Sequence, residues 1–296
     1  MKVEKVYFKA KDGLSLFGLL HKCNGETKEI VLSIHGMQSN IFKERDRVES
    51  EYLTERNIDF FDFNNRGSEI YTKTNTIIDG KKVKINCGSM WENVYDCILD
   101  IDAAVDELIS KGYEKIILQG HSLGSIKSVI YYNYLIENNL VDKLSKIKAV
   151  ILLSLVGIKE FLYYDDPKHA KHLEKLSNKL VKKGKFDTLT EGFFGFPMTA
   201  KCLNQYFQEN LNFVQFLDKN FKFELLNKIN CPLFMRYGTI NEIIPKDAFE
   251  IIEILNSKVT NNFKDFGAIE SANHSFKNKE LVLTEQIYDF IKKAVV

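Results

Sequence analysis

The stretch Lys115-Ile-Ile-Leu-Gln-Gly-His-Ser-Leu-Gly124 decides the expected fold. Its apolar residues 116–118 are typical of a buried strand, and a helical pattern follows directly after the second glycine. Between strand and helix stands Gly-x-Ser-x-Gly, a motif that is informative in this context. A strand that reverses sharply into a helix leaves room only for small residues beside the central one, and both flanking positions are glycine. We therefore predict that Ser122 stands on a strained turn with its hydroxyl clear of the sheet.

The composition is that of a globular protein. Of the 296 residues, 45% are hydrophobic and 27% are charged, and the formal net charge is +1. A charge this close to zero gives no general basis for binding nucleic acid or membranes. No window approaches 18 uncharged apolar residues, so we expect no membrane span. The charged N-terminus has no apolar segment of the kind found in signal peptides.

The cysteine pattern indicates a reducing environment. The five cysteines are scattered and form no Cys-x-x-Cys motif: Cys23, Cys87, Cys97, Cys202 and Cys231. An odd number without a secretion signal is typical of free thiols in a cytoplasmic protein. We therefore expect a cytoplasmic location, no metal site and no cofactor.

Strand-like and helix-like segments alternate from residue 30 onward. Residues 30–34, 149–155 and 232–238 are nearly continuous apolar runs, as in strands buried on both faces. Such alternation predicts an α/β protein with a doubly wound, mostly parallel sheet. At the N-terminus, residues 2–10 and 14–22 flank Asp-Gly and predict an antiparallel hairpin at the sheet edge.

The alternation breaks between residues 157 and 230. This segment contains three helix-like patterns, at residues 169–183, 198–208 and 211–219. We interpret it as a helical cap inserted over the carboxyl edge of the sheet, where open α/β sheets bind ligands. The predicted organisation is a core of residues 1–156 and 231–296 with a cap of residues 157–230.

Two features of the predicted cap have alternative interpretations. Residues 168–185 are rich in lysine, which is typical of a solvated helix face but also suits a lid rim that attracts anionic substrates. Several phenylalanines either line an acyl pocket or form ordinary core: Phe193, Phe194, Phe196, Phe207, Phe213 and Phe216. Of these, Phe194 and Phe196 are our candidates for contacts to substrate.

A serine hydroxyl is a poor nucleophile at neutral pH, so it needs a base within hydrogen-bond reach and a group that orients the base. Six histidines are available: His21, His35, His121, His169, His172 and His274. His121 lies inside the turn, and we expect it to point away from the Ser122 side chain. His169 and His172 lie on the basic segment, and His274 stands in a loop between the last predicted strand and the last predicted helix.

Over essentially its full length the chain resembles the α/β-hydrolase superfamily. The matching features are His35-Gly36, Gly120-His-Ser-Leu-Gly124, the segment Gly238-Thr-Ile-Asn-Glu-Ile-Ile-Pro245 and His274, in the order serine, acid, histidine. Residues 63–67 and 88–97 are similar to the branch that contains siderophore esterases and, more loosely, to cinnamoyl esterases. The resemblance implies Ser122 as nucleophile and His274 as base, because in this superfamily the last loop brings the histidine over the serine.

The resemblance also implies an oxyanion hole built from two backbone N–H groups. One belongs to Leu123, directly after the nucleophile, and the other to Met37, after the His-Gly turn. Losing one such donor typically costs about 3–4 kcal/mol of transition-state stabilisation. Gln38 is close enough in sequence to help line the site.

The acid position departs from the superfamily pattern. Members commonly have Asp three residues after the glycine, where this chain has Asn241, followed by Glu242. Glu242 can reach the histidine if its extra methylene compensates for the one-residue shift. Alternatively, Asn241 orients His274 without stabilising the imidazolium. Loss of the charge costs about 10⁴ in kcat in a Ser-His-Asp enzyme, which favours Glu242 in a fast catalyst.

Three functions follow as hypotheses. The first is hydrolysis of a small-molecule carboxylic ester or lactone through an acyl-enzyme on Ser122. The second is a peptidase or thioesterase on the same residues, since a fold does not choose among leaving groups. The third is a non-catalytic ligand-binding scaffold, suggested by the missing Asp. The sequence predicts no nucleic-acid partner and leaves the oligomeric state open.

Overall fold

The structure is a computed structural model that describes residues 1–295. The strands, numbered along the chain, are β1 (Lys2–Lys9), β2 (Ser15–Lys22), β3 (Glu29–Ile34), β4 (Asp59–Asn64), β5 (Thr72–Ile78), β6 (Lys81–Cys87), β7 (Lys115–His121), β8 (Ile147–Leu153), β9 (Leu189–Thr190), β10 (Met198–Thr199), β11 (Leu233–Gly238) and β12 (Lys264–Ile269). The α-helices are α1 (Glu44–Thr54), α2 (Cys97–Ser110), α3 (Leu123–Glu137), α4 (Val141–Lys146), α5 (Ile158–Asp165), α6 (Pro167–Lys182), α7 (Ala200–Gln205), α8 (Glu224–Asn227), α9 (Ala248–Lys258) and α10 (Glu280–Ala294).

Within residues 1–295, eight strands form one mixed sheet in the order β1-β2-β4-β3-β7-β8-β11-β12. The β1–β2 and β2–β4 pairs are antiparallel, whereas every pair from β4 to β12 is parallel. The carboxyl ends of parallel strands meet at one edge of a sheet. The turns and loops that follow β7, β8, β11 and β12 therefore begin side by side, although they are far apart in sequence.

Helices cover both faces of this sheet. Along β7, Ile117 packs in a core cluster with Leu53 of α1 and Leu283 of α10, whereas Leu118 belongs to the cluster that contains Val129 of α3. Successive residues of a strand face opposite sides, so a strand buried on both faces is apolar throughout. Each fully buried aliphatic side chain contributes roughly 1.5–3 kcal/mol of hydrophobic stabilisation. The predicted doubly wound, mostly parallel sheet with an N-terminal hairpin is confirmed.

The segment of residues 157–230 contains α5 to α8 and the short β9–β10 pair. Its longest helix, α6, begins with Pro167, and the Asp166 side chain accepts hydrogen bonds from the N–H groups of Lys168 (3.1 Å) and His169 (3.0 Å). Proline at the first position and an aspartate cap are strong helix-start signals. The helix predicted at residues 198–208 is shorter, because residues 198–199 form β10 and α7 spans Ala200–Gln205.

The helix predicted at residues 211–219 is wrong. The only helical feature there is the end of a single 3₁₀ turn, Glu209–Leu211. The N–H groups of Phe216 and Leu217 donate to the two carboxylate oxygens of Glu160, each at 2.8 Å. These donors are therefore unavailable to a helix, and Phe213 and Phe216 are buried although their i, i+3 spacing is not part of a helix.

A second small hairpin, β5–β6, projects from the region between β4 and α2 and pairs antiparallel from Thr72–Cys87 to Ile78–Lys81. Among residues 1–295, no helix combines the length and the apolar composition needed to cross a bilayer.

Candidate active site

Ser122 occupies the sharp turn between β7 and α3. Its backbone has φ 55° and ψ −121°, a conformation that L-residues rarely adopt. Its N–H donates to Leu153 O at 2.8 Å, which ties the turn to the end of β8. A Cβ added to Gly124 would lie 2.0 Å from Ile34 O, and one added to Gly120 would lie 2.2 Å from Gly124 O. The two flanking glycines are thus required by the close approach of backbone to backbone.

His274 and Glu242 meet at the carboxyl edge of the sheet. His274 Nδ1 lies 2.6 Å from Glu242 Oε2. The other carboxylate oxygen, Oε1, accepts from the Gly238 N–H at 2.7 Å and from Ser154 Oγ at 2.8 Å. Both oxygens of this buried carboxylate are therefore used, and its position is determined by groups on two different loops.

The structure places Glu242, and not Asn241, against His274. Asn241 is exposed, and its side chain forms no hydrogen bond with any residue from 1 to 295. Its backbone is left-handed, with φ 53°, a conformation that asparagine tolerates better than most residues. This turn leaves Asn241 in solvent and the Glu242 side chain inside.

Two residues for which the sequence predicts no such role, His121 and Ser154, hold the His274 loop. His121 Nε2 lies 2.7 Å from His274 O, and because a carbonyl can only accept, this nitrogen carries the proton. Burial lowers the pKa of His121 well below its ordinary value, so the ring is neutral. Ser154 Oγ also lies 3.1 Å from His274 O. A polar residue at the end of an apolar strand, next to the expected site, was the available signal for Ser154.

The His35-Gly36 turn packs directly against Ser122. A Cβ on Gly36 would lie 3.1 Å from Ser122 Cβ. The buried His35 ring donates from Nδ1 to Gly36 O at 2.9 Å and accepts the Asn65 N–H at Nε2, at 3.2 Å. Burial lowers the pKa of His35 to about 3, so the neutral ring keeps both hydrogen bonds. The two hydrogen bonds of the His35 ring therefore hold the turn that carries Met37 in place.

The N–H groups of Met37 and Leu123 find no acceptor within residues 1–295. Both residues line the same cavity as Ser122 and His274. Leu123 is also the first residue of α3, where unpaired N–H groups and the positive end of the helix dipole favour an anion. The arrangement can therefore receive a negatively charged oxygen beside the Ser122 hydroxyl.

The cavity has a volume of about 550 Å³. Gln38 and Phe194 line it, and Phe194 is 48% exposed. Phe196 does not: it is buried and packs edge-on against Phe193, with ring centroids 6.4 Å apart. Other apolar lining residues come from the loop after β8, from α5 and from the loop after β11: Val156, Ile158 and Ile243. In the described part of the chain, no group of three or more His, Cys, Asp or Glu side chains is arranged to hold a metal ion.

No protein-family model matches the sequence, and no curated protein matches it. Solved structures do match over nearly the whole chain. Est1E from Butyrivibrio proteoclasticus, with ferulic acid bound, is 14% identical with a TM-score of 0.65, covering 98% of this chain and 99% of its own. Alpha/beta hydrolase domain-containing protein 10 from mouse is 15% identical with a TM-score of 0.63, covering 98% and 99%.

A third similar structure is the alpha/beta hydrolase GrgF from Penicillium sp. sh18. It is 13% identical with a TM-score of 0.68, and the match covers 99% of each chain. Similarity at these identities establishes the fold. Together with the strand order and the turn at Ser122, it shows that this protein has the α/β-hydrolase fold.

Proposed function

We propose that the protein is a serine hydrolase that cleaves a carboxylic ester or lactone of a small molecule through an acyl-enzyme. The observation that carries the proposal is the 2.6 Å contact between His274 and Glu242, beside a cavity that also contains Ser122 and two unpaired N–H groups. The names of similar structures, among them the Pyrococcus furiosus esterase and Est1E, add support.

In the proposed reaction, the Nδ1–H of His274 donates a hydrogen bond to the Glu242 carboxylate, and the unprotonated Nε2 accepts the Ser122 hydroxyl proton. Ser122 Oγ then attacks the ester carbonyl carbon, and the oxyanion accepts hydrogen bonds from the Met37 and Leu123 N–H groups. The tetrahedral intermediate collapses, the carbon–oxygen bond to the alcohol breaks, and His274 protonates the departing alcohol. Water then attacks the acyl-enzyme carbonyl while His274 accepts its proton. The carbon–oxygen bond to Ser122 breaks, His274 returns the proton to Ser122 Oγ, and the acid is released.

The proposal assigns the third catalytic position to Glu242. Its buried carboxylate can stabilise the imidazolium that forms when His274 accepts the proton, whereas the exposed Asn241 makes no contact with the ring. A carboxylate at this point favours catalysis over a non-catalytic ligand-binding scaffold. We also propose that residues 157–230 act as a cap, because Phe194 extends from this segment to the cavity, and that Gln38 contacts substrate.

The test uses purified protein, p-nitrophenyl butyrate and a fluorophosphonate label. We expect wild type to release p-nitrophenol and to be labelled at Ser122. Ser122→Ala should lose both properties, with kcat reduced by about 10⁴-fold or more. Ser275→Ala is the matched control, since Ser275 is an exposed serine that lines the same cavity. Equal inertness of wild type and Ser122→Ala to both reagents would remove the proposal.

The same assay separates the esterase from the related hydrolases. We expect an ester to react faster than the matched thioester and anilide at equal acyl chain length. A preference for the thioester or the anilide would assign the same residues to a thioesterase or a peptidase.

A further inference from the structure

Three cationic side chains line the cavity that contains Ser122: Lys43, Arg45 and Lys277. Lys43 and Lys277 are exposed at its rim, and neither forms an ion pair or a side-chain hydrogen bond within residues 1–295. Arg45 is different because its side chain is only 6% exposed. We call these three residues the cationic wall.

Arg45 is incompletely satisfied for a buried guanidinium. Its Nη2 donates to Asp46 Oδ1 at 2.8 Å, but its Nε has no acceptor among the described residues. Burying a charged group is costly unless its hydrogen bonds are made, so this guanidinium leaves positive charge beside the cavity that the protein compensates only in part. One aspartate uses only part of its five-donor capacity.

The carboxylates of the cavity do not cancel this charge. Glu44 lines it, but both Glu44 oxygens are bound from outside by Arg47, at 2.5 Å and 3.0 Å. Glu280 is the remaining acidic side chain of the lining, and it is half-buried in the first turn of α10. Arg45 is itself paired with Asp46, so two unpaired cations, Lys43 and Lys277, face Glu280, the one carboxylate of the lining that has no cationic partner in the described chain.

Two helix N-termini reinforce the same preference. The first turns of α1 and α10 line the cavity through Glu44, Arg45 and Glu280. Neither helix has a side-chain cap, so the N–H groups of their first turns lack side-chain acceptors at the cap. The positive ends of both helix dipoles add to the field of the cationic wall.

The lining also has an apolar part, which includes Met37, Leu123, Val156, Ile158 and Ile243. A volume of about 550 Å³ is in the range of sites for small organic ligands. A ligand complementary to both parts has an apolar body and one negatively charged group.

We propose that the substrate is an ester that carries a carboxylate, which the cationic wall binds while the ester carbonyl lies at Ser122. This inference rests on the proposed function for the ester, but the binding of a carboxylate is measurable without turnover. The anion is on either the acyl or the alcohol part, and the experiment has one arm for each.

Affinities are measured by calorimetry on the Ser122→Ala protein, which retains the cavity without the nucleophile. The acyl arm compares mono-p-nitrophenyl adipate with p-nitrophenyl hexanoate. The alcohol arm compares 4-carboxyphenyl hexanoate with its neutral 4-carbamoylphenyl analogue. In one arm we expect the anionic ester to bind at least about tenfold more tightly at low ionic strength, with the preference falling as salt screens the charges.

Lys43→Gln combined with Lys277→Gln in this background should reduce the preference by about threefold to tenfold. Arg45→Gln should reduce the preference further. Because Arg45 is buried, that variant can also disturb folding, so the test relies on the two exposed lysines. Lys279→Gln is a single-charge control, since Lys279 lies two residues from Lys277 but does not line the cavity.

Equal affinity for anionic and neutral esters in both arms would overturn the inference, as would a preference that the double lysine variant leaves unchanged. Tight binding of the anionic ester without turnover by wild type would instead remove the proposed function and leave the carboxylate site standing. The two ideas therefore fail separately.

Discussion

Two buried glutamates, Glu242 and Glu49, stand in opposite circumstances. Glu242 accepts from Ser154 and Gly238 and contacts His274, so both of its oxygens have partners. Glu49 of α1 is fully buried. Its carboxyl group makes only one hydrogen bond within residues 1–295, which Gln119 Nε2 donates to Oε2 at 2.9 Å. Glu49 Oε1 has no partner in the described chain.

Burial alone therefore does not determine the protonation state of a carboxyl group. Burial, followed by the nearby charge of Asp46, raises the pKa of Glu49 to about 8. A protonated Glu49 has one donor to give, and Gln119 Oε1 is a buried acceptor without a donor. We infer that Glu49 is protonated at pH 7. Glu242, in contrast, has three hydrogen-bond donors around its oxygens, an arrangement that suits a carboxylate.

The largest effect is expected when the charge of Glu242 is removed. Glu242→Gln keeps the size of the side chain but removes the charge that stabilises the imidazolium. We expect kcat for p-nitrophenyl butyrate to fall by about 10⁴-fold. We expect only a small change in the free energy of unfolding. Steady-state kinetics and urea unfolding measure the two quantities.

Asn241→Ala is the control for this variant, because Asn241 is the neighbouring residue and is exposed. Its kcat should stay within about threefold of wild type. A larger loss in Asn241→Ala than in Glu242→Gln would reverse the assignment of the orienting residue.

The neutral member of the comparison is tested by pH. The folded protein keeps a proton on Glu49 between its ordinary pKa of 4.5 and about 8, and the unfolded chain releases it. The contribution of Glu49 to stability is therefore greatest below pH 4.5 and is lost as the pH rises towards 8. The slope amounts to at most about 1.4 kcal/mol per pH unit.

Glu49→Gln removes this titration and keeps the shape of the side chain. Urea unfolding between pH 5 and pH 8 should show a flatter decline of the free energy of unfolding than in wild type. Glu51→Gln, an exposed position on the same helix, should leave the wild-type slope nearly unchanged. Parallel curves for wild type and Glu49→Gln would show that Glu49 is ionised in the folded protein.

A smaller effect is expected when one hydrogen-bond donor is removed from Glu242. Ser154→Ala leaves the Gly238 N–H as the remaining donor to Oε1. We expect kcat to fall by about tenfold with little change in KM, because Ser154 acts through Glu242 and not on substrate. A raised KM with unchanged kcat would indicate that Ser154 contacts the substrate instead.

Local patterns were enough to identify the sheet and the turn at Ser122. Buried strands need apolar runs, and the close packing of Gly120 and Gly124 requires glycine, so both features leave a mark in a few adjacent residues. The choice between Asn241 and Glu242 could not be made this way, because it depends on one left-handed backbone conformation. Ser154 was missed because its partner Glu242 lies 88 residues away in sequence.

The segment of residues 157–230 was predicted less well for a related reason. Helix signals at α6 are local, and its predicted bounds agree closely with the structure. Residues 211–219 resemble a helix in composition, but the N–H groups of Phe216 and Leu217 donate to Glu160, more than 50 residues earlier. Likewise, whether an aromatic residue such as Phe196 faces a cavity or a neighbouring ring is decided by tertiary packing.

The left-handed backbone of Ser122 has a consequence for protein engineering. A non-glycine residue in such a conformation costs on the order of 1–3 kcal/mol, so glycine would suit the turn better than serine does. The most stable residue at position 122 and the residue that carries a hydroxyl are therefore different. Any redesign that selects for thermal stability alone would be drawn to replace the side chain that the proposed reaction requires.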